Sequence, residues 1–150
     1  MHNATVVAWP PAALSPNARP HFYAKAKATK EYRGLIAYHA KGGAMMNNAI
    51  LYIVPLVRDR RRRDFDNVSA KAAIDGLTDA RWWTDDSCID WAVISKPIYS
   101  KKWPENSVLF AAVNGAHGHE LWHDMLELKR RAAAGEDCVS WLSIFVSGPR

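Results

Sequence analysis

The sequence predicts a single α+β domain, a small mixed β-sheet flanked by helices, and three observations carry that expectation. The chain has 150 residues, enough for one hydrophobic core and too few for two full ones. Hydrophobic residues make up 49% and charged residues 23%, which is the balance of a packed chain rather than a disordered one. Apolar patterns of helical period and of period two alternate along the chain, with no internal repeat or low-complexity stretch.

The elements follow in order. TVVAWPPAALSPNARP, residues 5 to 20, starts as a short apolar strand and passes at Pro10, Pro11, Pro16 and Pro20 into an extended segment that disfavours helix. From Phe22 to about Ala44 the prolines vanish. Tyr32, Leu35, Ile36 and His39 recur at helical spacing, which predicts a helix ended by Gly42-Gly43. Ala49 to Val57, AILYIVPLV, is a β-branched apolar strand leading straight into an arginine run, with Pro55 expected at an edge or a bulge. In the next segment Val68, Ala72, Ala73, Ile74 and Leu77 share one helical face, and Asp66 or Asn67 is the expected cap. Ser87 to Tyr99 alternates as a strand with Ile89, Trp91 and Val93 on one face, and Val108 to Val113 makes a further short strand. Residues 119 to 134 form an amphipathic helix with Leu121, Met125 and Leu128 inward, part of an added helical segment at about 114 to 137. Val139 to Val146 is expected as the closing strand.

Composition excludes several classes. Two cysteines, Cys88 and Cys138, cannot make a disulfide framework and lack the spacing of a zinc ribbon, so reduced thiols are expected. MHNATVVAWPP has no basic start followed by a long apolar run, and no window approaches a membrane span; a soluble cytoplasmic protein with no membrane partner is expected. Lys and Arg exceed Asp and Glu by 20 to 15, for a net charge of +5 and a pI near 9.4, which favours a polyanionic partner. Five of the arginines, Arg58 and Arg60 to Arg63, fall within six positions. Such a run repels itself unless an anion compensates it, and DNA supplies that anion.

Chemistry concentrates in RDRRRRDFDNVSAKAAIDGLTDARWWTDD, residues 58 to 86. Asp64 and Asp66 lie two apart, so on extended backbone their side chains point the same way and converge on one hard cation. Magnesium takes oxygen ligands and keeps waters, so two or three carboxylates and a substrate phosphate satisfy it. The third acid is Asp86, with its neighbour Asp85 as the alternative, returned beside the first pair by a strand-helix-strand path. Lys71, five residues after Asp66, is placed to stabilise charge building on a phosphate. Taken alone, a DxD pair is most often a turn or a cap, Asp85-Asp86 a turn, and an arginine run a solvated patch.

In combination, RRRRDFDN (60 to 67), KAAIDGL (71 to 77) and WWTDDSCID (82 to 90) resemble the RusA family of Holliday junction resolvases, small homodimeric nucleases of bacteriophages, prophages and some bacteria. Trp9-Pro10-Pro11 resembles the family's N-terminal strand and turn, so the likeness spans most of residues 9 to 99. The resemblance implies a magnesium-dependent endodeoxyribonuclease, with manganese as a substitute, that binds four-way or branched DNA as a homodimer and nicks paired strands symmetrically. It implies Asp64, Asp66 and Asp86 as metal-binding catalytic acids, Lys71 as the lysine required for cleavage, and Arg58, Arg60, Arg61, Arg62 and Arg63 as the DNA-binding run. The interval from DFDN to Lys71 is one residue longer than in the family's pattern, and the helical segment at 114 to 137 is additional.

Other readings compete. HELWH, His119 to His123, is a literal HExxH, which in a zinc hydrolase supplies two imidazoles and a glutamate base; Glu127, Glu136 and Asp137 are the candidates for a third ligand. A DNA-binding protein without catalysis would use the arginine run alone. His117 and His119 suit adventitious metal binding or helix capping. Trp82-Trp83 suits stacking on an unpaired base or, more commonly, a place in the core. Lys25, Lys27, Lys30 and Arg33, with Tyr23 or Tyr32, would extend a phosphate-binding face if they are more than solvated helix surface.

Overall fold

The computed structural model describes residues 2–148, and the side chains of Phe65 and Asp66 lie outside the described residues. Strands β1 (Asn3–Ala8), β2 (Ala49–Val57), β3 (Ile89–Ile94), β4 (Ile98–Tyr99) and β5 (Ser107–Asn114) make one sheet in the order β1-β5-β2-β3, with β4 also beside β2. The pairs β1/β5 and β5/β2 are antiparallel, whereas β3 and β4 run parallel to β2, so the sheet is mixed as expected. Helices α1 (Phe22–His39) and α2 (Ala70–Asp79) cover one face; α3 (Gly118–Ala133) and α4 (Val139–Ser147) cover the other. Among the described residues no helix is long and apolar enough to cross a membrane.

The continuous apolar run of β2 follows from this layering, because a central strand with both faces covered has no polar side to show. Leu51 and Ile53 pack with Tyr32, Ile36, Leu77, Trp82 and Trp83 in one core; Tyr52, Val54 and Leu56 pack with Leu121, Met125, Leu128 and Phe145 in the other. The expected helix start and the bounds of β2 agree with the structure, but α1 stops at His39, before Gly42-Gly43. Of the four positions on its expected inner face only Tyr32 and Ile36 are buried. Gly42 then takes a left-handed φ of 83°. A Cβ on Gly43 would sit 2.7 Å from both Asn3 Nδ2 and Trp82 Nε1. Pro55 is neither at an edge nor in a bulge. It pairs with Val108 of β5 on one side, and its absent N–H points to the other side, shared with the carbonyls of Ile53 and Val57 that accept from Ser95 and Ser100. On that side the neighbouring chain breaks between β3 and β4, so the proline costs no ladder bond.

Three further expectations are corrected. Ser87 to Tyr99 is two strands rather than one, and the pairing shifts between Ala49/Ile89 and Ile50/Trp91, which leaves Asp90 as an extra residue. The shift moves Trp91 and Val93 to the face opposite Ile89. Ile89 and Ile94 join the α1/α2 core, Val93 the other, and Trp91 stays 67% exposed. The helix after DFDN begins later than expected and neither Asp66 nor Asn67 is its N-cap residue. Phe65–Val68 makes a 3-10 turn, and the N-cap is Ser69, in a left-handed conformation at φ 52°, ψ 53° with no side-chain cap bond. The segment 139 to 146 is a helix, not a strand. Cys138, Leu142 and Phe145 are buried at helical spacing against β1 and the second core, and Asp137 accepts from the Val139 N–H at the helix start.

Candidate active site

The chain leaves β2 at Val57, in the middle of the sheet, and the arginine run begins at once. Here the five arginines part company. Arg63 folds back, with both guanidinium arms on Asp59 (2.8 and 3.1 Å), its side chain only 11% exposed and its guanidinium over the Trp9 ring. That contact holds the Asp59 carboxyl down at about 2. Arg60 lies over the ring of Tyr99 at 4.1 Å, and Arg58, Arg61 and Arg62 are exposed. Arg63 therefore shapes the loop, while Arg60, Arg61 and Arg62 present charge along a groove of about 600 Å³ that Asp64 and Lys96 also line.

Asp64 is extended (φ −90°, ψ 161°) and its side chain is 68% exposed, with Arg62 at 4.0 Å. The expected strand alternation does not set the geometry of the pair, because β2 ends seven residues earlier and Asp66 lies in the 3-10 turn; the side chain of Asp66 is outside the described residues. The left-handed Ser69 separates that turn from α2. Ser69 Oγ donates to the Leu14 carbonyl at 3.5 Å, tying the junction to the N-terminal loop.

Lys71 is in the first turn of α2. Its Nζ donates to Asp75 Oδ1 at 2.9 Å and lies 3.9 Å from Asp86 Oδ2, and the hydrogen bond to Asp75 with the nearby Asp86 charge raises its pKa above the ordinary lysine value. The parallel return of β3 thus carries Asp86 to the exposed flank of α2. Asp85 and Asp86 differ sharply. Asp85 caps the 3-10 turn Asp86–Cys88, accepting from the backbone N–H of Ser87 at 2.9 Å and from its hydroxyl, which lowers its pKa. The Asp86 carboxylate accepts no hydrogen bond among the described residues, is 65% exposed and faces Lys71. The Asp64 carboxylate likewise accepts none. Two exposed carboxylates with uncommitted oxygens suit a hard divalent cation with waters in its shell. Among the described residues no three His, Cys, Asp or Glu side chains group as a metal site; the Asp66 side chain is not one of them.

The competing features fall elsewhere. His119, Glu120 and His123 are on the exposed side of α3, and each candidate third ligand is engaged: Glu127 and Glu136 with Arg130 and Arg131, Asp137 at the start of α4. Trp82 and Trp83 are both core, with their indole N–H groups on the Ala40 carbonyl and Thr78 Oγ1, so neither is presented to a base. Tyr32 is also core, whereas Tyr23 is exposed. Lys25 and Lys30 line a groove along α1; Lys27 pairs with Glu31 and Arg33 with Asp79. The sequence reading missed a basic surface made by Lys96, Lys101, Lys102 and Lys129, of which only the Lys101-Lys102 doublet left a local signal.

Comparison with known proteins bears on this arrangement. The family described as "Endodeoxyribonuclease RusA" matches residues 10–108, about two thirds of the chain and all of the segment from Arg58 to Asp86. The Escherichia coli (strain K12) protein named "Crossover junction endodeoxyribonuclease RusA" is 51% identical over 41 residues, 27% of this chain and 33% of that protein. The protein of Enterobacteria phage 82 with the same name is 36% identical over 86 residues, 53% of this chain and 68% of its own length. The chain thus spans about a third of the E. coli relative and about two thirds of the phage one. With the Asp-rich turn, Lys71 and the Asp85-Asp86 turn all inside the matched span, the chain belongs to the endodeoxyribonuclease RusA family.

Proposed function

We propose that this protein is a magnesium-dependent endodeoxyribonuclease that resolves four-way DNA junctions in the cytoplasm of a bacterium or phage-infected host, acting as a homodimer that makes one nick per protomer. The observation that carries the reading is the approach of Lys71 to Asp86 across the α2 flank, within a family-matched segment bordered by the arginine groove. Arg58, Arg61 and Arg62 grip backbone phosphates, and Arg60 sits over the Tyr99 ring beside them. Asp64, Asp66 and Asp86 hold magnesium, which when bound supplies Lewis acidity and lowers the pKa of the attacking water. Lys71 keeps a full positive charge under Asp75 and Asp86 and stabilises the charge that builds on the scissile phosphate. Two coordinated cuts require two such sites, hence the dimer.

The test is cleavage of a synthetic four-way junction with magnesium or manganese, comparing wild type with Asp66→Asn and measuring binding alongside. Paired symmetric nicks by the wild type, with a variant that binds and does not cut, are the expected result. Binding without cutting by both proteins would leave a non-catalytic DNA-binding protein, and retained zinc with activity lost on Glu120→Gln would move the chemistry to α3.

A further inference from the structure

We infer that the surface joining β4 to the end of α3 is a second DNA-binding track, which takes the backbone phosphates of a duplex arm running away from the cleavage site; this rests on the nuclease reading above. A groove of about 460 Å³ is lined by Arg60, Tyr99, Lys101, Lys102 and Lys129 among others, and no acidic residue lines it. It shares Arg60, Pro97 and Tyr99 with the arginine groove beside Asp64, so the basic surface continues from that groove to α3. Among the described residues, Arg60, Lys96, Lys101 and Lys129 have no carboxylate within ion-pair distance. Elsewhere on the surface the arginines of α3 are neutralised by Glu127 and Glu136, and Arg33 by Asp79. Lys25 and Lys30 on α1 also lack an ion pair among the described residues, but their groove contains Asp79 and shares no lining residue with the arginine groove.

The track is held in shape. Ser100 N–H donates to the Val57 carbonyl at 3.0 Å and buried Trp103 donates through Nε1 to the Ile98 carbonyl at 3.1 Å, fixing the 98–103 turn on the sheet. Lys102 Nζ donates to the Gly135 carbonyl at 2.6 Å and ties that turn to the end of α3. Lys101 and Lys129 are left exposed on the two walls. Uncompensated cations spread along both walls of a groove, with an arginine seated over a tyrosine ring, match an extended phosphate backbone rather than a compact anion. Lys129 lies beyond the family-matched span, which ends at residue 108.

The experiment measures salt-dependent binding of wild type and of the Lys101→Ala/Lys129→Ala double variant to four-way junctions with long and with short arms, with single-turnover cleavage at saturating protein and thermal melting alongside. The expected result is about tenfold weaker binding to the long-armed junction and a log-affinity against log-salt slope shallower by about two, one for each lysine taken away from a phosphate. Binding to the short-armed junction, saturated cleavage and melting temperature stay as in wild type. Equal affinity and slope on long arms overturns the inference, as does a weakening that is the same on short arms or that accompanies a lowered melting temperature. A wild type that binds no DNA of any form would instead remove the nuclease reading itself, an outcome distinct from a wild type that binds while the variant is indifferent.

Discussion

Gly76, within the KAAIDGL stretch, sits where α2 crosses α1. A Cβ there would lie 2.8 Å from the Arg33 carbonyl oxygen and 2.9 Å from Ile36 Cβ, both parts of a packed neighbour that cannot swing aside. Gly76→Ala is expected to destabilise the fold by about 1–3 kcal/mol, read as a lower urea midpoint at unchanged slope, because overpacking outweighs the gain in helix propensity. Lys71 differs in kind: its head is exposed and buries nothing. Lys71→Ala is expected to leave the melting temperature and junction affinity near wild type while cutting single-turnover cleavage by about a hundredfold or more. A matched fall in binding would make it a phosphate grip instead.

Among the elements, α3 carries its own acid sensitivity. Near its end Glu127 accepts from Arg130 Nε and Nη2 at 2.8 Å and from Arg131 Nε at 2.7 Å, and these bonds lower its pKa from 4.5 to about 2. A carboxyl whose folded pKa is depressed adds stability that is fully present above its unfolded value and lost as pH falls through the folded one. The contribution of this cluster is therefore complete above about pH 4.5 and fades toward pH 2, with the Asp59–Arg63 contact fading over a similar window. Melting temperature followed by circular dichroism should fall more steeply across that window for wild type than for Glu127→Gln, and equal slopes would show that solvent screens the exposed cluster. Because α3 forms one wall of the proposed track, its loosening in acid should also weaken DNA binding.

At the scale of the whole molecule, the family match ends inside β5, yet the remaining chain is not an appendage. Leu121, Met125, Leu128, Leu142 and Phe145 cover Val54, Leu56, Leu109 and Val113, the second face of the sheet. A chain ended after Asn114 is expected to expose that face and to aggregate or lose cooperative melting, as judged by size-exclusion chromatography and thermal denaturation. A monodisperse, cooperatively melting fragment would make α3 and α4 dispensable to the fold. The layers also explain the site: β2 ends mid-sheet beside Tyr99 of β4, so the arginine loop leaves from between strands rather than at an edge.

Much of this was legible in the residues alone. An unbroken apolar run meant a strand covered on both faces, and β2 has the bounds its sequence suggested; a basic run, DFDN, a helical lysine and paired acids marked the candidate chemistry by type and spacing. Trp82-Trp83 was ambiguous, since aromatic pairs serve cores and ligands alike, and residues 139–146 read wrongly as a strand, since short β-branched runs suit strand or helix equally. The facing of β3 was beyond reach, because one extra residue at Asp90 reverses every side chain after it and no local pattern announces the slip. Nor could spacing alone choose between Asp85 and Asp86. The proposed preference for Asp86 draws on which carboxylate Ser87 occupies and which one α2 approaches with Lys71, and contacts between elements distant in sequence exist only once the core has brought them together.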